Sequence, residues 1–223
     1  MKSTDLDKMS DEELLRLWQS GKKEQTEGAD GFSLRGWYHL LYKPQLKGKN
    51  VLDVGSGAGV DAISFAQAGA NMTCLDIDET NLKIIRRLCE IQGIKNVDFL
   101  YLESPRSLDS LGNDFDFFWC QGSQITTPFD IVQEEDRALL KHLKSDGRWI
   151  EQGHPKQRWE KDGRPSFETW GAFTDGGAPW MEWYDLEKVL RRLSPARFKV
   201  ILYFNFRNYE FNWFDLQRDN LPA

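Results

Sequence analysis

Val51-Leu52-Asp53-Val54-Gly55-Ser56-Gly57-Ala58-Gly59 is the stretch that decides how this chain folds, and Cys74-Leu75-Asp76-Ile77-Asp78 answers it downstream. The first run reads as a buried strand that enters a glycine-rich turn and opens a helix. The second reads as another strand that ends in carboxylates. Glycines at such a turn let the backbone come close to a ligand, because no side chain blocks the approach. An acid about 20 residues further on is placed to accept hydrogen bonds from ribose hydroxyls. The pair of runs therefore predicts a site for a nucleoside-containing cofactor.

Around this centre the pattern alternates. Strand 51–54 leads to a helix near 60–68, with Val60, Ile63 and Ala66 on one face. Strand 72–77 leads to a helix near 79–92, with Leu82, Ile85, Leu88 and Cys89 inward. Strand 97–102 follows, then strand 115–120. Thr127-Pro128 reads as an N-cap with proline at the first helical position, opening a helix to about Lys144. Strand 147–152 comes next. This βαβα rhythm predicts an α/β fold with a doubly wound, mostly parallel sheet. Phe198–Phe206 reads as a strong strand, and Phe211–Leu216 can return against it, so the last strand is expected to be antiparallel.

Upstream, Ser10 and Glu13 form a capping box before Leu14, Leu15, Leu17 and Trp18, which predicts a short N-terminal helix. Residues 20–31 are polar and glycine-bearing and read as a mobile link. Phe32–Tyr42 reads as a second helix, ended by Pro44 and Gly48. Residues 1–48 are thus expected to form a helical cap on a domain spanning 49–223. After the fifth strand the rhythm breaks. Residues 153–182 are rich in glycine and proline and carry Trp159, Phe167, Trp170, Phe173 and Trp180. So long a segment in a compact domain points to a lid-like insert. Asp185 then caps a helix with Leu186, Val189, Leu190 and Leu193 at helical spacing.

The glycines at 55, 57 and 59 depart from the G-x-G-x-x-G fingerprint of dinucleotide sites. Asp53 sits two residues before the first of them, inside an apolar strand. A buried carboxylate there is costly without a partner. A cationic ligand group, or ordered water and backbone donors around it, would supply one, whereas a dinucleotide pyrophosphate would be repelled. The D-x-G-x-G pattern of Asp53, Gly55 and Gly57 closely resembles motif I of the class I S-adenosylmethionine-dependent methyltransferases, and Asp76 matches that family's ribose-binding acid. The resemblance covers roughly residues 33–150, and the terminal hairpin agrees with it. It implies a seven-stranded Rossmann-like methyltransferase sheet with S-adenosyl-L-methionine as cofactor. It also implies that Asp53, Gly55, Ser56 and Gly57 face the methionine part, Asp76 takes the ribose, Ile77 packs on adenine, and Glu103 or Ser104 reaches the adenine edge. Ser33-Leu34-Arg35 resembles the helix that precedes the core in small-molecule O-methyltransferases related to the ubiquinone-pathway enzymes. There, an arginine such as Arg35 pairs with the cofactor carboxylate.

Composition narrows the partners. The chain has 223 residues, a net charge of −6, 13% aromatics and nine tryptophans. The acidic balance argues against nucleic acid as partner, because phosphate binding needs a basic footprint. Cys74, Cys89 and Cys120 are scattered, with neither a disulfide framework nor metal-ligand spacing, so no metal is expected. They read as reduced core residues of a cytoplasmic protein. No apolar run reaches membrane-spanning length, so no membrane association is expected.

Ligands of open parallel sheets bind beyond the carboxyl ends of the strands. That rule adds Gln121 to the cofactor residues and places His154 and Glu151 near the substrate mouth. Imidazole suits a general base, so His154 is the first candidate and Glu151 the second. The expected activity is methyl transfer to an oxygen or nitrogen of a small molecule or sugar. Two other readings stay open: an NAD(P)-dependent oxidoreductase, and a non-catalytic S-adenosylmethionine-binding protein.

Overall fold

The structure, a computed structural model, describes residues 6, 8–174 and 177–219. It divides into two compact units, Met1–Ser107 and Leu108–Ala223. The outermost residues of the expected cap and domain, and residues 175 and 176 of the expected insert, lie outside the described residues.

In the first unit, α1 spans Asp11–Thr26 and starts at the expected capping box, with both Ser10–Glu13 bonds present. It buries Leu14 and Trp18. The expected mobile link at 20–31 is instead helical. After Thr26 a short helical turn, Gly28–Gly31, and a π-helical stretch, Phe32–Gly36, lead directly into α2, Trp37–Leu46. Close packing explains one of the link's glycines: a Cβ on Gly31 would meet the Glu24 carbonyl at 2.5 Å, whereas Gly21 and Gly28 have open space around them. Pro44 sits inside α2, which stops at Leu46.

The alternation then runs as β1 Asn50–Val54, α3 Val60–Gln67, β2 Asn71–Asp76, α4 Glu79–Ile91 and β3 Val97–Tyr101. The three strands are parallel in the order β3-β2-β1, with Val54 opposite Leu75 and Asp76 opposite Tyr101. Strands covered on both faces read as continuous apolar runs, which is why Val51, Leu52, Cys74 and Leu75 are all buried. Ile63, Phe65, Ile85 and Leu88 pack on them from α3 and α4.

The second unit holds β4 Phe115–Gln121, α5 Phe129–Leu139, β5 Leu143–Gly153, α6 Lys156–Lys161, α7 Phe167–Phe173, α8 Leu186–Arg192, β6 Phe198–Phe206 and β7 Phe211–Arg218. The strand order is β4-β5-β7-β6. β4 and β5 are parallel, while β7 runs antiparallel to both β5 and β6. With the first unit this makes seven strands, mostly parallel, as the sequence predicts. The α5–β5 boundary differs from expectation. Thr127 does not cap α5; Pro128 holds the cap position, and the Phe129 amide donates to Glu182 Oε2 instead, at 3.2 Å. The helix ends at Leu139 rather than near Lys144, and β5 starts early at Leu143. Arg218 favours that early exit by donating to the Leu140 and Leu143 carbonyls at 2.7 and 2.6 Å.

The segment after β5 is packed. Trp170 is buried and its indole donates to Asp162 at 2.9 Å. The indoles of Trp159 and Trp180 donate to the Pro165 carbonyl and to Glu182. Lys188 of α8 closes the arrangement on Glu182 at 2.5 Å, with its ammonium 4.2 Å from the Trp183 ring centre.

Candidate cofactor site

β1 delivers the chain into a turn in which Gly55, Gly57 and Gly59 all have positive φ. Gly59 has no freedom to be anything else: its φ is +70°, and a Cβ there would lie 2.7 Å from Ile85 of α4. At Gly57, by contrast, a Cβ would meet nothing within 4 Å. That open face is where a ligand can approach the backbone. The Gly57 amide donates to Asp76 Oδ2 at 2.9 Å. The other Asp76 oxygen accepts from the Asp78 amide at 2.8 Å, and Asn81 Nδ2 reaches Oδ2 at 3.2 Å. A carboxylate has about four acceptor sites, so capacity remains for ribose hydroxyls. Ile77 follows with 74% of its surface exposed, an apolar platform beside the acid at a strand end.

Asp53 is 3% exposed at the bottom of this turn. Burial pushes its carboxyl up to about 8, the Asp61 charge adds to the rise, and Ser56 and Arg35 pull the other way. Ser56 hydrogen-bonds back to the Asp53 carbonyl at 3.0 Å, which closes the turn on itself.

Arg35 does not stand free. Its Nη1 is 2.7 Å from Asp61 Oδ2 and donates to the Tyr38 hydroxyl at 3.0 Å. His39 Nε2 lies 2.7 Å from Asp61 Oδ1. Asp61, in the first turn of α3, thus gathers three side chains from the preceding helical segment. The sequence reading missed Asp61, Tyr38 and Asn81. A buried acid in an otherwise apolar helical face was the one available signal for Asp61.

In the second unit, Gln121 ends β4. Both polar atoms of its side chain are buried without a hydrogen-bond partner, as is the Ser123 hydroxyl. Orphaned polar atoms at a strand carboxyl end fit a polar ligand edge. Glu103 and Ser104 are exposed in the turn after β3, and the Ser104 amide is taken by Ser107 Oγ at 3.3 Å. They show no geometry that singles them out.

The two expected bases are sealed. Glu151 is 0% exposed; it pairs with Arg192 and accepts from the Trp149 indole at 2.8 Å. Arg192 also holds Asp136 at 2.6 Å, and Gln124 closes on Asp136 at 2.5 Å. His154 is likewise 0% exposed. Its Nδ1 lies 2.9 Å from the Glu210 carbonyl and 2.8 Å from Arg158 Nη1, and its ring stacks on Phe211. Topology put His154 at the carboxyl end of β5 as expected, but its ring points into the packing between the hairpin and the insert.

Residues 51–147 match the methyltransferase domain family. The ubiquinone biosynthesis O-methyltransferase of Bordetella parapertussis is 32% identical over 107 residues, which are 47% of this chain and 42% of that protein. The chain thus spans less than half the length of the curated relatives it matches. In fold it is similar to the magnesium protoporphyrin IX methyltransferase of Synechocystis PCC 6803 solved with bound SAH, with a TM-score of 0.61, 20% identity, and 86% and 89% of the two chains covered. It is also similar to the Burkholderia thailandensis 1,6-didemethyltoxoflavin-N1-methyltransferase, with a TM-score of 0.60, 17% identity, and 94% and 87% covered.

The chain is thus similar over residues 51–147 to the methyltransferase domain family and, in fold, to methyltransferases solved with bound S-adenosylhomocysteine. Its fold is a doubly wound seven-stranded sheet like theirs. The glycine turn at Gly55–Gly59, the acid at Asp76 with acceptor capacity to spare and the exposed Ile77 form a surface on which a nucleoside would fit. Asp53, buried with Ser56 beside it and without an ion-pair partner among the described residues, is where a cationic group would fit. Among the described residues no helix is long and apolar enough to cross a membrane.

Proposed function

We propose that this chain transfers a methyl group from S-adenosylmethionine to an oxygen or nitrogen of a small molecule. The observation that carries the reading is the Gly57 amide locked onto Asp76, with open space over Gly57 and Ile77 exposed alongside. The cofactor brings an activated methyl on a sulfonium. The protein's part is to bind, orient and exclude water. Asp76 accepts from the ribose hydroxyls while the glycine turn admits the cofactor to the backbone. Asp53, costly to ionise alone, becomes an anion when a cationic group settles beside it. Arg35, held in place by Asp61, presents its guanidinium to a carboxylate.

The acceptor has a fitting place in the second unit. A cavity of about 620 Å³ is lined by Arg158, Lys161, Phe173, Asn208, Tyr209 and Glu210. Its lining joins α6, the end of α7 and the turn between β6 and β7, and the Glu210 carbonyl in that turn lies 2.9 Å from Nδ1 of His154, the residue after β5. Its size suits a small molecule. Phe173 and Tyr209 are both more than half exposed and offer it aromatic surface. With His154 and Glu151 sealed, the acceptor that fits is one already nucleophilic at neutral pH without a base, such as a carboxylate or a nitrogen that is unprotonated there. In this reading residues 153–182 are the wall of the acceptor site rather than a moving lid.

Calorimetry with S-adenosylhomocysteine and NADH tests the cofactor. Micromolar binding of S-adenosylhomocysteine alone is expected, and binding of NADH alone would overturn the reading in favour of an oxidoreductase. Transfer of labelled methyl across an acceptor library separates the enzyme from a protein that only binds the cofactor.

A further inference from the structure

The N-terminal helix α1 has no role in the chemistry described so far, yet it is fastened to the cofactor turn. Trp18 is buried, and its Nε1–H donates to the Ala58 carbonyl at 3.0 Å. Ala58 lies between Gly57, whose amide Asp76 holds, and Gly59, which opens α3. The peptide groups of this turn are therefore gripped from two directions: an amide by Asp76 and a carbonyl by Trp18. Further ties fix the helix that carries the indole. Arg87 of α4 bonds to Asp11 and to the Met9 carbonyl, both at 2.6 Å. Lys22 lies 5.1 Å from the centre of the Trp18 ring and donates to Gln67 of α3 at 3.1 Å.

We propose that Trp18 is a positioning residue for cofactor binding, through which α1 holds the glycine-rich turn in its ligand-accepting conformation. The physical reason is that glycines make the turn permissive as well as accessible. Three left-handed residues within five give the segment many unfolded-like alternatives, and an external hydrogen bond removes some of them. A turn already in its bound conformation binds more tightly, because less ordering remains to be done on binding. The proposal rests on the S-adenosylmethionine reading of the site.

Trp18→Phe keeps the aromatic packing and removes only the donor. Leu14→Val trims the same buried face of α1 and keeps the donor, so it serves as the stability control. The expected result is a loss of S-adenosylhomocysteine affinity of about fivefold in Trp18→Phe, the order of one neutral hydrogen bond. Leu14→Val, at a similar or larger loss of melting temperature, should bind within about twofold of the parent. The ¹⁵N indole resonance that vanishes in Trp18→Phe should shift in the parent on adding S-adenosylhomocysteine. Affinity that falls in both variants in step with melting temperature would make α1 a merely structural brace. Parental affinity in Trp18→Phe overturns the proposal as well. A parent that binds no S-adenosylhomocysteine indicts the cofactor reading. The clamp is then decided without ligand, by hydrogen exchange at the Gly59 amide, which bonds to the Ser56 carbonyl at 2.9 Å. Exchange there should be faster in Trp18→Phe than in Leu14→Val, and equal rates refute the clamp.

Discussion

Two buried carboxylates at strand ends, Asp53 of β1 and Glu151 of β5, have opposite surroundings. Glu151 meets a full set of partners: both oxygens face the Arg192 guanidinium and one also takes the Trp149 indole. Asp53 has no ion-pair partner among the described residues, and burial with the nearby Asp61 charge pushes its carboxyl up to about 8. The same contrast extends to their neighbourhoods. Around the glycine turn, Gly57 faces open space and Ile77 faces solvent. Around the insert, Trp159, Trp170 and Trp180 each find an acceptor, and Lys188 closes on Glu182. The difference supports proposing the cofactor at the turn, with the insert as a packed wall rather than a moving part.

The harshest way to break this contrast is Arg192→Met. It leaves Glu151 and Asp136 buried without their cation. Breaking a buried ion pair from one side costs roughly 3–5 kcal/mol, on the order of 10 °C in melting temperature for a chain of this size. Urea denaturation and thermal melts should show this loss, while the protein that remains folded keeps its affinity for S-adenosylhomocysteine. A stable variant that has lost cofactor affinity would place the Arg192 cluster in the binding machinery.

Asp76→Ala acts on the other side of the comparison. The lost acceptor for ribose should weaken S-adenosylhomocysteine binding by about 1.5–3 kcal/mol, roughly 10- to 150-fold. Because Asp76 also accepts from Gly57, Asp78 and Asn81, the variant should lose about 1–2 kcal/mol of stability as well. Calorimetry and urea titration on the same sample separate the two. Unchanged affinity in the folded variant refutes the ribose role.

This double duty of Asp76 marks where the sequence stops being legible. Strand-turn-helix and the downstream acid were plain because their signals are local: apolar runs, glycines at fixed offsets, carboxylates at a strand end. The seven strands and the terminal hairpin followed from the same kind of signal. What failed were inferences about the direction and company of single side chains. His154 sits at the predicted strand end, but Arg158, Phe211 and the Glu210 carbonyl, all contributed by other elements, bury it. Glu151 looked out of place in an apolar strand only because Arg192 is distant in sequence. Glycine-bearing, polar composition at 20–31 read as mobility because close backbone contact, as at Gly31, leaves no trace in the chain itself.

Asp53 sharpens the comparison through pH. Its carboxyl, raised from near 3.8 to about 8, binds its proton more tightly in the folded protein than in the unfolded chain. The stability this confers is fully present below the unfolded value and is lost as pH rises through the folded one. A cationic ligand group prefers the ionised form, so ligand affinity moves the opposite way and rises with pH up to about 8. Between pH near 6.5 and pH near 8.5, S-adenosylhomocysteine should bind about tenfold more tightly. Asp53→Asn should flatten that slope. A parental slope in the variant assigns the titration to another group.

The smallest effect is expected where the sequence reading expected the largest. A general base typically contributes 10²–10⁴-fold and has to reach the proton it removes. His154 is fully buried, with Nδ1 held between Arg158 and the Glu210 carbonyl. His154→Phe keeps an aromatic ring against Phe211 and Trp170 and removes both nitrogens. Methyl transfer should therefore continue within about threefold of the parent, far short of the loss a missing base produces. The variant should register in stability instead, because the Arg158 guanidinium loses a partner. A 100-fold fall in turnover with cofactor affinity and melting temperature unchanged would reverse the comparison. It would mean that the packing around His154 opens when the acceptor binds, and that the insert is a lid after all.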